Sequence, residues 1–317
     1  MEEEVIVVRH TVVSFGEVLW DLLPGKSVLG GAPFNFAFRI NELGERGIPI
    51  SRLGVDPLGQ QAYDQIARLG MDTGYLQWDE SHPTGTVKVT VDPAGNPDFF
   101  IVPHVAYDFI QTTSDLEELA ARADCICYGT LVQRSERSCD TLTRLLEKGL
   151  LPLKFLDLNL RENCYSLKTI ISSLETADVL KLNQQELVEL VHLLEMPPRA
   201  LAEDAGAILR QWQLQAVLIT LGEAGLYAVS RDGLQAYDPG YRVAVVDTVG
   251  SGDACAAAFV HCLLQGRNLQ DSCRFGNLLG ALAATKAGGT APIHAGEIER
   301  LAGDSRERIV SPDFANL

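Results

Sequence analysis

The 317-residue sequence has no C-x-x-C pair among its seven cysteines and no excess of basic residues. It also has no apolar run approaching the ~20 residues that a membrane-spanning helix needs. Each absence excludes something. Cys125, Cys127, Cys139, Cys164, Cys255, Cys262 and Cys273 are odd in number and lie mostly in apolar runs. They read as reduced, buried thiols of a cytoplasmic protein rather than as a disulfide framework. No basic stretch followed by an apolar one opens the chain, so no secretory signal is expected. The six histidines are scattered, and the pair His261-Cys262 lies on an apolar helical pattern, which reads as packing rather than metal binding. Lys plus Arg is 26 against 42 Asp plus Glu, a formal charge of −16. That balance argues against nucleic acid or an anionic membrane as partner. An anionic small ligand is still compatible with it, held locally by backbone amides and a few cations.

What is present is apolar and periodic. Hydrophobic residues make up 46% of the chain, enough for a large core without metal or disulfide staples. There are no repeats, low-complexity tracts or long linkers, so one continuous domain over 1–317 is expected. Strands are expected at 12–16, 51–55, 125–128, 153–158, 179–182 and 217–221. Helices are expected over 36–43, closed by Gly44, and over 60–69, closed by Gly70. Repeated βα units imply an α/β fold, a mostly parallel sheet covered by helices on both faces. One segment breaks the rhythm. Val87, Val89 and Val91 alternate with Lys88 and Thr90, Asp92-Pro93-Ala94-Gly95-Asn96 is a turn, and 99–102 returns. This antiparallel hairpin is either an edge extension of the main sheet or a lid over a substrate site. The first ten residues are expected to be partly frayed, and the polar tail from Ser305 to be peripheral.

The strongest chemical signal is Asp247-Thr248-Val249-Gly250-Ser251-Gly252-Asp253 followed by an Ala-rich helix, with an apolar strand expected at 243–246. Gly250 and Gly252 allow a tight turn whose amides, with the helix dipole, form an anion hole. Asp253 lies beside it in the first helical turn, where a carboxylate can act as general base. Alone, the same pattern also fits an ordinary acidic residue after a glycine turn. Gly30-Gly31-Ala32-Pro33-Phe34-Asn35 opens another helix. Asn35 offers donor and acceptor to a polyol, or simply caps the helix, and Asp21, read as standing just after a strand, can accept hydroxyl protons. Acid and amide groups near a Gly-Gly turn suit a neutral sugar. Gly25-Lys26-Ser27 is not a P-loop, because position 20, where that motif needs glycine, is Trp. Asn183 and Glu186 lie one helical turn apart, placed either to bind Mg²⁺ directly or through water or to cap a helix. Thr220, Gly222 and Gly225 follow a parallel strand, at the end where nucleotides settle in open α/β sheets.

Together these motifs resemble the ribokinase/PfkB family of sugar kinases, from Gly16 to about Gly289. The segment Asp247–Val260 resembles the family's C-terminal signature and 30–44 its N-terminal one. Gly30–Asn35, Pro83–Val87 and Asp157-Leu158-Asn159-Leu160-Arg161 look fructokinase-like. The resemblance implies a ribokinase-like three-layer α/β/α fold with a small β lid built around 17–33 and 84–107. It implies that Asp253 takes the proton from the sugar hydroxyl, that Gly250, Ser251 and Gly252 supply amides to the transferring phosphoryl group, and that Arg161 reaches the phosphates. Asp21, Gly30, Gly31 and Asn35 would hold the sugar. Thr220, Gly222 and Gly225 would line the ATP site, with Asn277 near the base or ribose and Asn183 and Glu186 arranging Mg²⁺. Asp247 and Val249 are candidates for a monovalent cation such as K⁺. Ser251 stands where the family usually has Ala, Cys255 where Phe is common, and Leu158 where fructokinase-like chains have Pro. The expected activity is ATP-dependent phosphorylation of fructose to fructose 6-phosphate by a homodimer paired through its lids. The alternatives are 2-keto-3-deoxygluconate, ribose or a nucleoside as substrate, or a sugar-binding sensor without catalysis.

Overall fold

The computed structural model describes residues 9–23, 25–91, 97–148 and 153–314. The turn expected at 92–96 and most of the frayed start lie outside them. The strands are β1 (Thr11–Phe15), β2 (Leu19–Leu23), β3 (Lys26–Gly30), β4 (Arg46–Gly54), β5 (Leu76–Asp79), β6 (Gly85–Val91), β7 (Pro97–Ile101), β8 (Cys125–Tyr128), β9 (Leu153–Asp157), β10 (Val179–Asn183), β11 (Ala216–Thr220), β12 (Gly225–Ser230) and β13 (Gln235–Pro239). The helices are α1 (Ala32–Glu42), α2 (Pro57–Arg68), α3 (Ser114–Arg122), α4 (Glu136–Lys148), α5 (Leu167–Thr176), α6 (Gln184–Leu193), α7 (Leu201–Gln211), α8 (Ser251–Leu264), α9 (Leu269–Ala284) and α10 (Ala295–Ala302).

The main sheet runs β13-β12-β11-β10-β9-β8-β1-β4-β5. It is parallel from β11 to β5, and its β12–β13 end is antiparallel. The alternation of side chains along a strand explains why these strands are apolar throughout. Val13, Phe15, Ile126, Tyr128, Val217 and Ile219 pack toward α3 to α7. Val12, Cys125, Cys127, Ala216 and Leu218 face the other way, toward Phe36 and Ile40 of α1 and Ala256, Phe259 and Val260 of α8. Both faces are covered, so both residue sets must be apolar. Alanines let α8 approach α9 closely, and the Ser251 hydroxyl donates to the Gly280 carbonyl of α9 at 2.9 Å.

A second sheet, β3-β2-β6-β7, stands apart from the first. Its antiparallel β6–β7 pair is the expected hairpin, and β2 joins β6 in parallel register, Asp21 opposite Val87. Trp20 and Leu29 pack with Phe34 and Phe38 of α1 and with Leu53, Ile66 and Leu76. Leu19 and Val87 pack with Val105 and Tyr107. The sheet is thus tied to the domain through β2 and α1, a larger support than a two-stranded ribbon has.

Three expectations need correcting. Asp21 lies inside β2, not after a strand. Residues 243–246 form no strand: Val245 and Val246 are 61% and 65% exposed, and the Val246 N–H donates to the Ala284 carbonyl on α9 instead of to a sheet. β-branched residues favour extended backbone, but a strand needs a neighbour. The tail is not wholly peripheral. Phe314 is buried and stacks on Tyr227 at 4.4 Å, Ile309 pairs with Gly240, and the Arg308 guanidinium donates to the Asp238 carboxylate at 2.6 Å.

The expectation of reduced, buried thiols fits. All seven cysteines are free, and all but Cys139 are buried. Cys262 is fully buried in α8, while the His261 ring approaches the Glu45 carboxylate at 3.0 Å. No helix among the described residues is long and apolar enough to cross a membrane.

Candidate active site

The charged groups gather where the parallel strands end, as open α/β sheets place their ligands. β1 runs out into Gly16-Glu17, β9 ends on Asp157, β10 ends on Lys181-Leu182-Asn183, and β11 ends on Thr220. α8 begins against this edge. Its N-cap, Gly250, has φ 78°, and a Cβ there would stand 2.5 Å from the Gly289 Cα. Only glycine fits both the backbone conformation and the space. The turn is braced from below: Asp247 accepts the Val249 N–H and the Gly288 N–H, each at 3.0 Å. Arg39, fully buried in α1, donates to the Gly289 carbonyl at 3.0 Å. The Ser251 hydroxyl is committed to α9, so Ser in place of Ala alters packing and leaves the turn's amides unchanged.

Asp253 sits in the first turn of α8 and Asn35 in α1, 218 positions apart, and the Asn35 amide donates to the Asp253 carboxylate at 2.8 Å. The Asn35 carbonyl oxygen is buried without a partner, an acceptor free for a hydroxyl. Asn35 therefore does not cap α1, whose N-cap is Gly31 with no side-chain cap. Gly31 must be glycine for the chain to pass there: a Cβ would lie 2.3 Å from the Glu17 carbonyl oxygen. Gly30 faces Asp21, whose carboxylate lies 3.2 Å from where its Cβ would be. Burial raises the Asp253 carboxyl to about 6, helped by Asp157 and opposed by Lys181, the Asn35 hydrogen bond and Arg161. Burial also raises Asp21, opposed by Arg161 and helped by Asp247. Arg161, exposed in the loop after β9, thus lies in electrostatic reach of both carboxylates.

Three buried charged groups here were given no role by sequence reasoning. Lys181 donates to both oxygens of Asp157 at 2.9 Å, and both side chains are about nine-tenths buried. The Lys181 ammonium lies 3.1 Å from the Cβ position of Gly252, directly behind the glycine turn. Glu17 is 4% exposed, and burial pushes its carboxyl up to about 7 against hydrogen bonds from its own and the Ala32 backbone N–H. The available signals were Lys181 and Asp157 at the ends of adjacent strands and Glu17 directly after Gly16, each a charge inside an apolar stretch.

The other expected residues divide. Asn183 and Glu186 form a capping box at the start of α6: Asn183 accepts the Glu186 N–H at 2.8 Å, and Glu186 accepts the Asn183 N–H at 2.7 Å. The second Glu186 oxygen accepts the Leu160 N–H at 2.9 Å. Thr220 pairs with Asn183 across β10 and β11, so it borders the same edge. Gly222 opens onto free space. Gly225 is pressed against β13, its Cβ position 2.1 Å from the Asp238 carbonyl oxygen. Asn277 directs its amide to Asp238 and Pro239 at 2.6 and 2.8 Å, anchoring α9 to the end of β13. The structure therefore brings Asp253, Asn35, Asp21 and Arg161 within reach of one another beside the glycine turn, while Gly225 and Asn277 meet at the β13 end. Among the described residues, no three His, Cys, Asp or Glu side chains are grouped to hold a metal ion by themselves.

A family model described as pfkB family carbohydrate kinase matches residues 10–295. Over 306 residues, 87% of this chain and 92% of the relative, the sequence is 29% identical to fructokinase-1 of Oryza sativa subsp. japonica. The structure is similar to that of an uncharacterized sugar kinase of Pyrococcus horikoshii in complex with ATP, with TM-score 0.74 and 26% identity over 88% of this chain and 94% of that one. Its fold is also that of the 2-dehydro-3-deoxygluconokinase of Thermotoga maritima, with TM-score 0.82 and 22% identity over 93% of this chain and 100% of that one. The ribokinase-like architecture, the glycine turn leading into Asp253, and a family match running from β1 to α10 agree: the chain belongs to the pfkB family of carbohydrate kinases.

Proposed function

We propose that this kinase transfers the γ-phosphoryl group of ATP to a sugar hydroxyl, with fructose as acceptor and fructose 6-phosphate as product. The observation that carries this reading is the Asn35–Asp253 hydrogen bond. It joins the Gly30-Gly31 helix to the first turn of α8, beside the anion hole. Asp253 takes the hydroxyl proton, the oxygen bonds to the γ-phosphorus, and the bond from phosphorus to the bridging oxygen of ADP breaks. Gly250, Ser251 and Gly252 present amides to the phosphoryl group, and Arg161 adds charge; phosphoryl transfer needs this positioning and stabilisation more than covalent chemistry. Asp21, Asn35 and the Gly30-Gly31 turn hold the sugar. ATP lies toward Asn183, Thr220 and Gly222, with Gly225 and Asn277 shaping the far wall. The donor set suits a Mg²⁺ that arrives with ATP: Glu186 keeps lone pairs for a bound water, and a single carboxylate plus phosphates is usual for this ion. Bound there, the ion would neutralise phosphate charge. Asp247 and the Val249 carbonyl are the proposed neighbours of a monovalent cation such as K⁺. The unpaired thiols fit a cytoplasmic enzyme.

Fructose is expected to be phosphorylated with higher kcat/KM than ribose, adenosine or 2-keto-3-deoxygluconate. A clear preference for another acceptor overturns the sugar assignment. A sugar acid is the second reading, favoured by one observation: Arg161 is an exposed cation within electrostatic reach of Asp21. Asn35→Ala is expected to raise KM for the sugar much more than KM for ATP, and equal effects would remove Asn35 from the sugar site.

We propose that the β3-β2-β6-β7 sheet is a lid on a single domain spanning 1–317, and that lids pair in a homodimer. β7 ends the sheet among the described residues, and Phe100 on it is 57% exposed. An open edge carrying an exposed aromatic invites a partner. Sedimentation at micromolar concentration is expected to show a dimer that Phe100→Asp dissociates. A wild-type monomer contradicts the proposal.

A further inference from the structure

The buried pair Asp157–Lys181 is not used by the reaction as described, yet it lies directly behind it. Asp157 ends β9 and Lys181 lies near the end of β10, and their register places them opposite each other, so the ion pair is built into the sheet. Lys181 lies beside the turn at Gly252, its ammonium 3.1 Å from where a Cβ would stand. Asp253 follows Gly252 immediately. Two opposite charges inside the protein, one residue from the base, act on it through a medium that screens poorly. A pair serving stability alone is weak evidence for its own retention, because an apolar pair of similar volume often does as well.

We propose that Asp157 and Lys181 are positioning residues that set the basicity of Asp253, Asp157 strengthening it as a base and Lys181 restraining it. The inference rests on the reading of Asp253 as the proton acceptor. Among the described residues, the groups facing Asp253 are Asn35 from α1, Cys127 from β8, Asp157 from β9, Lys181 from β10, Arg161 from the loop after β9, and Glu17 from the loop after β1. Asn35 and Arg161 reach the cleft and change when substrates enter. Asp157 and Lys181 are paired with each other and largely buried, so they hold their effect through the reaction cycle. A base whose conjugate acid titrates near neutrality is the useful one for abstracting a hydroxyl proton.

The test is the pH dependence of kcat/KM for the sugar, measured on the full-length protein. A carboxylate base loses activity as pH falls through its own pKa, so its acidic limb reports its basicity. Asp157→Asn is expected to move that limb down by about one pH unit and Lys181→Met to move it up by about as much, the scale on which a neighbouring charge shifts a carboxyl. A merely structural pair predicts lower activity in both variants with the limb in place. Limbs that stay put, or that move together, overturn the proposal. Asp157→Asn is the safer variant, because Glu186 and Asp253 still face the ammonium and the Asn oxygen still accepts a hydrogen bond from it. If Lys181→Met does not fold, Asp157→Asn decides alone: a downward move supports the proposal, and no move or an upward one overturns it. Asp253→Asn run in parallel separates the two readings. Full activity in that variant removes the base assignment itself, whereas an inactive Asp253→Asn with unmoved limbs in the others removes only this inference.

Discussion

Replacing Asp253 with Asn is expected to lower kcat by roughly 10²–10⁴-fold, the usual worth of a positioned general base, while the protein stays folded. Asn is close in shape and its amide can still meet Asn35, so the Asn35–Asp253 contact at 2.8 Å changes partners without opening a cavity. What is lost is the capacity to take a proton. KM values for sugar and ATP are expected to move only a few-fold, because the group acts on the proton in flight. The wild-type pH profile carries the same signature. The active form of Asp253 is the carboxylate, and burial raises its pKa to about 6, so kcat/KM is expected to fall as pH drops through that region and to be flat above it. Near-normal turnover in folded Asp253→Asn, or a profile flat down to pH 4.5, would show that this carboxyl is not the base.

Gly250→Ala is expected to be the second most damaging single change. The residue holds φ 78°, and a Cβ there would meet the Gly289 Cα at 2.5 Å, a backbone atom that cannot swing aside. The left-handed conformation alone costs a non-glycine residue roughly 1–2 kcal/mol. Relief requires the 247–250 turn to move away from Gly289, and with it the amides that face the phosphoryl group. Losing one preorganised donor of this kind costs about 10²–10³ in kcat. The expected result is a kcat loss of that order with a modest drop in melting temperature. Gly233→Ala is the control, since Gly233 also has positive φ but has no atom near its Cβ position. An active Gly250→Ala variant with wild-type kcat would mean that the turn does not hold the reacting group.

Much of this architecture is legible in the sequence because local chemistry and global packing agree there. The parallel strands are short apolar runs since both faces of the main sheet are buried, and 12–16, 125–128 and 217–221 could be found on that ground alone. The glycine turn and Asp253 are contiguous, so their relation is local. What was hidden depends on contacts between distant segments. Lys181 and Asp157 are 24 positions apart and meet only because β9 and β10 pair. Asn35 reads equally as a sugar contact or a helix cap until α8 arrives to receive its amide. Arg39 is a charged residue in an apolar helix, and the Gly289 carbonyl together with the Glu42 carboxylate accounts for its full burial. The 243–246 run fails in the other direction: Val243, Val245 and Val246 favour strand locally, but no neighbouring strand lies beside them. Phe314 closes over Tyr227 and Tyr237 from a polar tail whose composition gives no hint of burial.

The central claim is that the cleft joining Asn35, Asp253 and the Gly250–Gly252 turn moves phosphate from ATP to a sugar hydroxyl. The direct measurement is ADP formation by the purified protein with magnesium and ATP, with and without fructose, alongside ³¹P NMR of the product. The account predicts ADP release that depends on sugar, one sugar phosphate formed per ADP, and loss of both in Asp253→Asn. ADP release independent of sugar across fructose, ribose, adenosine and 2-keto-3-deoxygluconate, or none with any of them from folded protein, would contradict it.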